Sequence, residues 1–460
     1  MRLNKKSDRL GTDPLLPLLA DLAIPSIVGM MLMALYNVVD SIYLGHYDQN
    51  ALAALSLVFP VTMIMISFSI GTGVGSSSLI SRLLGADHTH RANNAAEHAV
   101  LLALLSGFLV GIVGMLASGD IIRLFSSEPE LVSMGGRYLR IVMIGSFAIF
   151  FPIVANNILR GEGNTFAPMI TLVIGAILNI VLDPFLIFGL GPFPRLGVEG
   201  AAIATVFSRF VSGVFIALIL FGDKNELSLA LQDFRLYMRV IKEIYRVGLP
   251  AALMQMVASI MIAGMNLIVA SYSTLALAVV GIYFRLQAFV FLPVFGLSQG
   301  YLPLVGYNFG HENPSRVKRT VFTGAFTGFA FTTAGFVLFQ SIPRQLILLF
   351  NDNPQLVAIG ETALRRTSLA FPLVGLGIIA SATFQAIGRG LPSLLMSVFR
   401  QIIVLLPAMF FLGKMGGLDI LWYAVPISDV LATTMAALWL WYSLRSALST
   451  AMKPADQPEP

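Results

Sequence analysis

Residues 15–44 read LLPLLADLAIPSIVGMMLMALYNVVDSIYL, a mostly apolar stretch that contains two acidic residues, Asp21 and Asp40. A membrane-spanning helix needs about 20 mostly apolar residues, so this stretch is long enough to cross a bilayer. It is also too long for the apolar part of a secretory signal, and no small-residue cleavage site follows it. We therefore interpret residues 15–44 as the first of several membrane-spanning helices.

Stretches of this kind recur along the whole chain. Of its 460 residues, 57% are hydrophobic and only 12% are charged, and the mean hydropathy is +0.82, whereas about 25% of the residues of a soluble domain are charged. The absence of cysteine excludes disulfides, thiolate catalysis and covalent haem attachment. The apolar stretches predict twelve helices: Leu15–Leu44, Ala51–Leu84, Asn93–Ala117, Ser133–Leu159, Phe166–Leu190, Gly197–Phe221, Ile241–Ala270, Leu275–Asn308, Arg316–Ile342, Val357–Ala386, Pro392–Gly413 and Leu418–Ser446.

The second half of the chain repeats the first. Each half contains six predicted helices, and an even number gives both halves the same orientation in the membrane. The sequence therefore predicts an all-α integral membrane protein of two six-helix lobes, related by a parallel pseudo-twofold repeat with a substrate cavity between them. The pairs that share one constant offset in residue number are Leu22–Pro25 and Val247–Pro250, Leu84–Gly85 and Phe309–Gly310, Phe125–Pro129 and Phe350–Pro354, and Leu139–Arg140 and Leu364–Arg365.

The predicted domains are an N-terminal lobe (residues 1–221), a polar cytoplasmic linker (222–240), a C-terminal lobe (241–448) and a disordered tail (449–460). The net charge is +5, and most loop lysines and arginines fall on the side of the termini. This bias predicts that both termini are cytoplasmic in the inner (plasma) membrane. Because these basic residues are scattered over short loops, nucleic-acid binding is not expected. They include Arg82, Arg91, Lys224, Arg235, Arg239, Lys242, Arg246, Arg316, Lys318 and Arg319.

Two acidic residues, Asp40 and Asp183, lie inside apolar stretches of the first half, and their counterparts in the second half are apolar. An ionised side chain at the centre of a membrane helix costs about 2.5–3.5 kcal/mol, so such residues are usually functional. Tyr36 and Asn37 precede Asp40 by four and three residues, which places all three on one face of the helix. This half therefore carries a candidate binding site for a proton or a cation.

The second acid has its own polar neighbours. Asn179 precedes Asp183 by four residues and shares its helix face. Pro184 has no N–H, which leaves the carbonyl of Ile180 without its helical donor. Carboxylate, amide, hydroxyl and carbonyl oxygens suit a proton or Na⁺ and are poor ligands for zinc, and two nearby carboxylates repel each other, which favours uptake of a proton or cation. The alternative is that each aspartate only bonds a neighbouring helix.

Four stretches of the first half carry a family resemblance: Pro25 followed by Tyr36–Asp40, Leu159–Thr165, Asn179–Pro184 and Gly197–Thr205. In order and spacing they resemble the multidrug and toxic compound extrusion (MATE) transporters, closest to the prokaryotic branch named after DNA-damage-inducible protein F. The resemblance implies a V-shaped pair of lobes and a cation-coupled efflux antiporter whose N-lobe acids bind the coupling proton or Na⁺. Asp40, Asn179 and Asp183 match that site, and we assign the family's sixth-helix threonine to Thr205.

Pro25 lies inside the first predicted helix, fifteen residues before Asp40, or roughly 22 Å along the helix axis. A proline inside a helix removes one hydrogen bond and usually produces a kink. One hypothesis is that protonation of the acid cluster shifts this helix between straighter and bent forms. The alternative is a structural role, because Pro250 occupies the equivalent place in the half that lacks the acids.

Other polar residues in the predicted spans are weaker candidates. Methionine side chains offer an adaptable drug-binding surface, although methionine is also an ordinary filler of membrane helices. The remaining charged residues either pair with each other, with Asp429 as the acid, or extend to the membrane surface. The cavity candidates are Asn37, Asn156, Asn157, Gln255, Arg285 and Met265, and the other charged residues without an assigned role are Arg209, Arg400 and Asp429.

The predicted function is export of amphipathic, often cationic small molecules by alternating access, coupled to H⁺ or Na⁺ and without another cofactor. Any bound metal is expected to be Na⁺ at Asp40, Asn179 and Asp183. We expect a monomer that contacts membrane lipid and is not an enzyme, since no catalytic triad or Walker lysine is present.

Two alternative functions remain. A lipid-linked sugar flippase needs a strongly cationic cavity, for which Arg209, Arg285 and Arg400 are available, but the two aspartates argue against it. A membrane-embedded acyl- or glycosyltransferase needs a polar active-site loop at the membrane surface, and no loop of this chain is long enough to favour that function.

Overall fold

The chain is described here by a computed structural model that covers residues 7–222, 225–229 and 234–451. Its described secondary structure is helical throughout. Eleven helices are long and apolar enough to cross a membrane, and a bent helix pair, counted as one span, makes a twelfth. The predicted all-α membrane fold with twelve spans is confirmed. Most of the predicted tail and parts of the predicted linker lie outside the described residues.

The first half contains eight helices, of which one is a short N-terminal helix. The predicted fourth span consists of two helices bent by 51° at Gly145. A Cβ atom at Gly145 would collide with Val206, so glycine allows the bend to pack closely against the last helix of this half. The helices are α1 (Asp8–Thr12), α2 (Leu15–Tyr47), α3 (Gln49–Gly85), α4 (Thr89–Arg123), α5 (Pro129–Ile144), α6 (Ser146–Gly161), α7 (Phe166–Phe188) and α8 (Val198–Leu220).

The second half contains nine α-helices and two other helical segments. Its helices are α9 (Met238–Ala270), α10 (Thr274–Gly310), α11 (Pro314–Ser341), α12 (Pro343–Leu348), α13 (Pro354–Thr367), α14 (Phe371–Ala386), α15 (Gly390–Val398), α16 (Leu406–Leu421) and α17 (Ala424–Ala451). A 3-10 turn (Ser368–Ala370) joins α13 to α14, and a π-helix (Phe399–Leu405) joins α15 to α16.

Two predicted boundaries near the end of the chain are wrong. The last helix begins at Ala424 and not at Leu418, because the chain breaks at Gly416 and Gly417 and forms a further helical turn before reversing. Gly417 has a φ of +65°, a conformation that a residue with a Cβ rarely adopts. The last helix also continues to Ala451, beyond its predicted end at Ser446.

Three clusters of buried apolar side chains define the shape of the molecule. One cluster contains residues of both halves, such as Leu22, Ile80, Ile244 and Tyr301. The other two clusters each belong to a single half and lie nearer the opposite end of the helices. The lobes are therefore joined at one end, called the joined end below, and separate at the other, called the open end. The single-lobe clusters include Leu44, Val58 and Ile187 in the first half and Met265, Tyr283 and Trp422 in the second.

Glycine permits close contact between the lobes at the joined end. A Cβ atom at Gly71 would collide with the carbonyl of Gly248, and one at Gly75 would collide with the carbonyl of Ile244. Small residues let membrane helices approach until their backbones touch. The α3–α9 contact therefore depends on backbone shape more than on polar bonds.

A second close contact between the lobes is made by a pair of glycines that the repeat relates to each other. Gly85 packs against the carbonyl of Tyr307, and its counterpart in the repeat, Gly310, packs against the carbonyl of Arg82. The short helix α1 adds polar contacts at the same end. The carbonyl of Leu10 accepts hydrogen bonds from Asn308 Nδ2 at 2.9 Å and from Arg316 Nε at 3.2 Å. Helix α1 is thereby tied to the second half of the chain.

This arrangement predicts which positions cross-link. A Cβ atom at Gly306 would lie 3.1 Å from the Cβ of Ser81 on the other lobe, slightly closer than the roughly 3.8 Å of an average disulfide. We expect S81C/G306C to form a disulfide under a mild oxidant after a small shift of the helices. Because the natural chain has no cysteine, no other thiol competes. With a protease site added to the linker, the two halves should stay together after cleavage on a non-reducing gel.

The matched control is V290C/G335C, whose Cβ atoms would also be 3.1 Å apart but lie within the second lobe. Its disulfide should form equally well, yet the cleaved halves should separate. The described joint between the lobes is contradicted if the control thiols become oxidised while those at positions 81 and 306 remain free to react with maleimide.

Candidate functional site

The two intramembrane acids lie side by side in the first lobe. Asp40 of α2 and Asp183 of α7 bring their carboxyl groups close enough for a hydrogen bond. Asp183 is fully buried, and Asp40 is half-buried. Two ionised carboxylates are both acceptors, so they cannot bond each other unless a proton or a cation lies between them. The arrangement can therefore hold a proton or a small cation.

Asn179 and Thr205 extend this cluster to α8. Asn179 Nδ2 lies 3.2 Å from Asp183 Oδ1 and 3.4 Å from Thr205 Oγ1. Three buried oxygens, Asp40 Oδ1, Asn179 Oδ1 and Asp183 Oδ2, have no hydrogen-bond partner among the described residues. A buried acceptor without a donor costs about 1–3 kcal/mol. A proton or monovalent cation bound by these oxygens would remove that cost.

Local helix geometry explains why these side chains meet. Asn179 and Asp183 lie one turn apart on α7, and α7 continues through Pro184. A Cβ atom at Gly175, one turn earlier, would lie 3.7 Å from the Cβ of Ser212 on α8, so α7 and α8 are in contact at this level. Among the described residues, the cluster does not combine with other carboxylates or histidines into a group of three or more metal-binding side chains. Its donor set therefore fits a proton or Na⁺ better than a transition metal.

Tyr36 is bonded to an arginine. Its hydroxyl accepts a hydrogen bond from Arg209 Nη2 at 2.7 Å, and the guanidinium carbon lies 5.5 Å from the centre of the tyrosine ring. Arg209 is on α8, one turn after Thr205. Tyr36 thus fixes a positive charge beside the acid cluster, a role that the spacing of Tyr36 and Asp40 did not predict.

A second tyrosine was missed by the sequence analysis. Tyr138 of α5 is buried next to the cluster, within electrostatic range of Asp40 and Asp183, and its hydroxyl approaches Thr205. A single tyrosine in an apolar stretch has no pattern that separates a site residue from a core aromatic residue. Only the packing of α5 against α8 brings it to the acids.

Two of the cavity candidates, Asn156 and Asn157, are buried inside the first lobe. Asn157 Nδ2 donates to the carbonyl of Ile153 at 2.8 Å, and Asn157 fills the space that a Cβ atom at Gly73 would need. Asn156 Oδ1 is buried without a partner among the described residues. Asn157 of α6 therefore packs against α3 of the same lobe.

The other cavity candidates differ in their exposure. Asn37, Gln255 and Arg285 are exposed, whereas Met265 is 1% exposed and belongs to the apolar cluster of the second lobe. Met265 occupies the position that corresponds to Asp40 in the repeat, so the second lobe has a packed thioether where the first has a carboxylate.

Pro25 lies near the joined end. The adjacent contacts of α2 with α10 are made by Leu22 against Gly300 and by Ile27 against Gly296. Helix α2 continues through Pro25, and α9 continues through Pro250 in the same way. Pro25 is thus placed where bending of α2 would alter the contact between the lobes.

The expectation that Asp429 pairs with an arginine is confirmed. Asp429 Oδ1 accepts a hydrogen bond from Arg400 Nε at 2.6 Å. Arg209 contacts Tyr36, and Arg285 is exposed. Arg209 and Arg400 therefore belong to separate contacts, one in each lobe.

Comparison with known proteins identifies the family. A family model for MatE matches residues 25–185 and 250–410, two segments of equal length with one in each half of the chain. The multidrug export protein MepA of Staphylococcus haemolyticus is 28% identical over 93% of both chains. The FAD transporter of Shewanella oneidensis is 27% identical over 91% of this chain and 92% of its own. A crystal structure of MATE in the straight conformation is 31% identical, with a TM-score of 0.92 over 98% of this chain and 100% of the other. The chain belongs to the MatE family of membrane transporters, whose members are not enzymes.

Proposed function

We propose that this protein is a cation-coupled antiporter that exports amphipathic, often cationic small molecules by alternating access. The observation that carries the proposal is the contact between Asp40 and Asp183, two carboxyl groups that need a shared proton or cation. No other cofactor is required. The sequence relationship to a multidrug export protein supports the class of substrate, and the relationship to an FAD transporter indicates that substrates vary within the family.

Coupling between the ion and the substrate follows because both depend on the charge of the first lobe. When the carboxyl pair is ionised, its negative charge attracts a cationic substrate into the open half of the lobe. When the pair binds a proton or Na⁺, that charge is neutralised and the unpartnered oxygens gain a ligand. A ligand shifts a conformational equilibrium by as much as its affinity differs between the two states, and a few kcal/mol suffice. Ion binding therefore favours release of the substrate.

The orientation in the membrane supports outward release. Loop arginines and lysines cluster at the joined end, which the positive-inside rule assigns to the cytoplasm. Both termini are then cytoplasmic in the plasma membrane, and the open end faces outward. A transporter in this state can receive a proton or Na⁺ from outside while it releases a substrate. The chain performs these steps as a monomer surrounded by lipid.

The flippase alternative is not favoured by the positions of the arginines. Arg209 donates to Tyr36, Arg400 donates to Asp429, and Arg285 lies on an exposed part of α10. A cavity that holds a lipid-linked phosphate needs several cationic groups pointing at one place. These contacts hold Arg209 and Arg400 in different lobes.

We expect D40N to abolish export without unfolding the protein. The amide can donate a hydrogen bond to Asp183, so the pair is satisfied without a coupling ion. In a drug-hypersensitive host, resistance should fall to that of cells lacking the chain, at equal membrane expression. The control is D21N on the same helix, because Asp21 forms only an exposed ion pair with Arg9 and such pairs contribute about 0–1 kcal/mol. Equal resistance from D40N and the natural chain would rule out coupling through Asp40.

The coupling ion can be identified with proteoliposomes. A pH gradient without Na⁺, or a Na⁺ gradient at equal pH, is imposed separately while efflux of a fluorescent cationic dye is measured. We expect one gradient to drive transport and D183N to remove the response. If the ion is Na⁺, it should also raise the melting temperature, since a ligand at ten times its Kd stabilises the folded state by about 1.4 kcal/mol. Transport driven by neither gradient would contradict the proposal.

A hinge in α2 predicts that P25A reduces transport by about tenfold, equivalent to about 1.4 kcal/mol. Alanine restores the N–H that can bond the carbonyl of Asp21 and thereby stiffens the helix. The matched control is P250A at the repeat-related position, which is expected to retain most of the rate. Full transport by P25A, measured by dye efflux at equal expression, would leave Pro25 with a structural role only.

A further inference from the structure

The second lobe contains a polar cluster to which the proposed transport cycle gives no role. Arg400 Nε and Asp429 Oδ1 are 2.6 Å apart, the carboxylate is 2% exposed and the arginine side chain is 33% exposed. Burying two charges is costly even when they pair, and the cost is larger inside a membrane. An ion pair retained in this position therefore calls for a reason beyond packing.

The backbone at Arg400 is also unusual. Arg400 and Gln401 lie on the π-helix of residues 399–405, between α15 and α16. A π-helix has a wider turn than an α-helix and is frequently found at functional sites. The extra residue changes the rotational phase of α16 relative to α15. It thereby lets Arg400 face α17 while Leu405 and Met409 pack into the apolar cluster of the lobe.

The cluster lies inside the bundle of the second lobe. Tyr283 of α10 is within electrostatic range of both members of the ion pair, and its hydroxyl approaches Gln287 of the same helix and Thr367 of α13. Asp429 belongs to α17. Residues from α10, α13, the π-helix and α17 therefore surround the guanidinium. A third of the arginine side chain remains exposed.

The repeat relates this cluster to the acid cluster of the first lobe. At the constant offset of the repeat, Val430, which follows Asp429, corresponds to Thr205, and Arg400 corresponds to Gly175, one helical turn before Asn179. Adjacent residues differ by about 1.5 Å along a helix. The ion pair thus joins the two repeat-related helices near the level of the Asn179–Thr205 contact. The guanidinium of Arg400 therefore lies in the second lobe at nearly the level where the first lobe is proposed to bind its coupling ion.

The guanidinium has an edge that the protein does not use. Asp429 contacts Nε, and no acceptor among the described residues bonds Nη1 or Nη2 of Arg400. Asp429 Oδ2 and Gln401 Oε1 are likewise buried without a partner in the described part of the chain. The two Nη groups form a planar fork that matches a carboxylate or a phosphate. Asp429 holds that fork in a fixed orientation.

We propose that the Nη edge of Arg400, positioned by Asp429, binds a carboxylate or phosphate group of the transported molecule. The second lobe then recognises the anionic end of a substrate whose cationic or apolar part lies toward the first lobe. The substrates of the protein then include zwitterionic and anionic amphiphiles as well as cationic ones. This inference rests on the proposed transport function but concerns only the selectivity of binding.

The binding of a matched pair of dyes to the purified full-length protein tests whether Arg400 recognises an anionic group. Rhodamine 110 has a free carboxylate, and rhodamine 123 is its methyl ester. The preference for rhodamine 110 over rhodamine 123, taken as the ratio of the two Kd values from fluorescence polarisation, should fall about tenfold in R400Q/D429N. That is the effect of losing one charge-assisted hydrogen bond. The double variant replaces the ion pair by a neutral amide pair, so no buried charge is left without a partner.

Two single variants separate recognition from folding. R400K keeps the charge but loses the fork, and its preference ratio should lie between those of the natural chain and the double variant. D429N keeps Arg400 but releases its orientation, so the ratio should fall while thermal unfolding stays cooperative. An unchanged ratio in R400Q/D429N, or equal weakening of both dyes, would overturn the assignment.

A lipid headgroup has the same anionic chemistry and is tested directly. The binding measurements are repeated with added phosphatidylglycerol or phosphatidylcholine. One contrary result is that phosphatidylglycerol displaces rhodamine 110 but not rhodamine 123, while phosphatidylcholine displaces neither dye. That result would assign the Arg400 edge to lipid and overturn its assignment to the transported molecule. No such displacement is expected. These ratios measure binding at equilibrium and do not depend on coupled transport. The proposal for Arg400 can therefore be supported even if D40N disproves coupling through Asp40, and the two proposals are judged separately.

Discussion

An ionisable side chain inside the apolar part of a membrane needs a partner, and this requirement determines how the polar residues of the chain are arranged. Three intramembrane arginines have a bonding partner on another helix, so each of these polar contacts also fixes two helices relative to each other. Asp40 and Asp183 differ, because two ionised carboxylates cannot satisfy each other. Their proposed occupant is therefore mobile. The fixed contacts join Arg209 to Tyr36, Arg160 to Gln299 and Arg400 to Asp429.

The contact between the lobes follows a different principle. At the joined end, glycines such as Gly71 and Gly248 bring backbones together with few polar bonds. In lipid, helix association gains little from apolar burial and depends mainly on close packing. When the lobes separate, an interface of this kind loses few polar bonds, of which the contact of the buried Arg160 with Gln299 is one. This suits the alternating access that we propose for the chain. The carbonyl of Leu10 adds polar contacts with Asn308 and Arg316, and Leu10 and Asn308 are both fully buried.

The sequence predicted the parts of the structure that depend on regular spacing. The apolar stretches predicted the spans, and the constant offset between matching residues predicted the paired lobes. The occurrence of Asp40 and Asp183 in the same half, together with the resemblance to the MATE transporters, predicted one polar site in the first lobe. Features that depend on contacts between helices were missed. Tyr138 reaches the acids only because α5 packs against α8, and Tyr36 faces Arg209 because of the relative rotation of α2 and α8. The bend at Gly145 needs Val206 as its partner, which no local pattern indicates.

The repeat gives the two lobes the same helices but different charges, and this difference has a mechanistic consequence. The Asp40–Asp183 pair is anionic unless it binds an ion, whereas the Arg400–Asp429 pair is neutral by its own composition. Adding or removing a coupling ion therefore changes the charge of the first lobe alone. If both lobes carried ionisable acid pairs, each transport cycle would have to fill two sites in the correct order. In the proposed cycle, the tethered Arg400 neutralises the second lobe, so the binding of one ion is sufficient to change the electrostatic balance between the lobes. The Arg400 edge that we propose as a substrate contact is unaffected by that change.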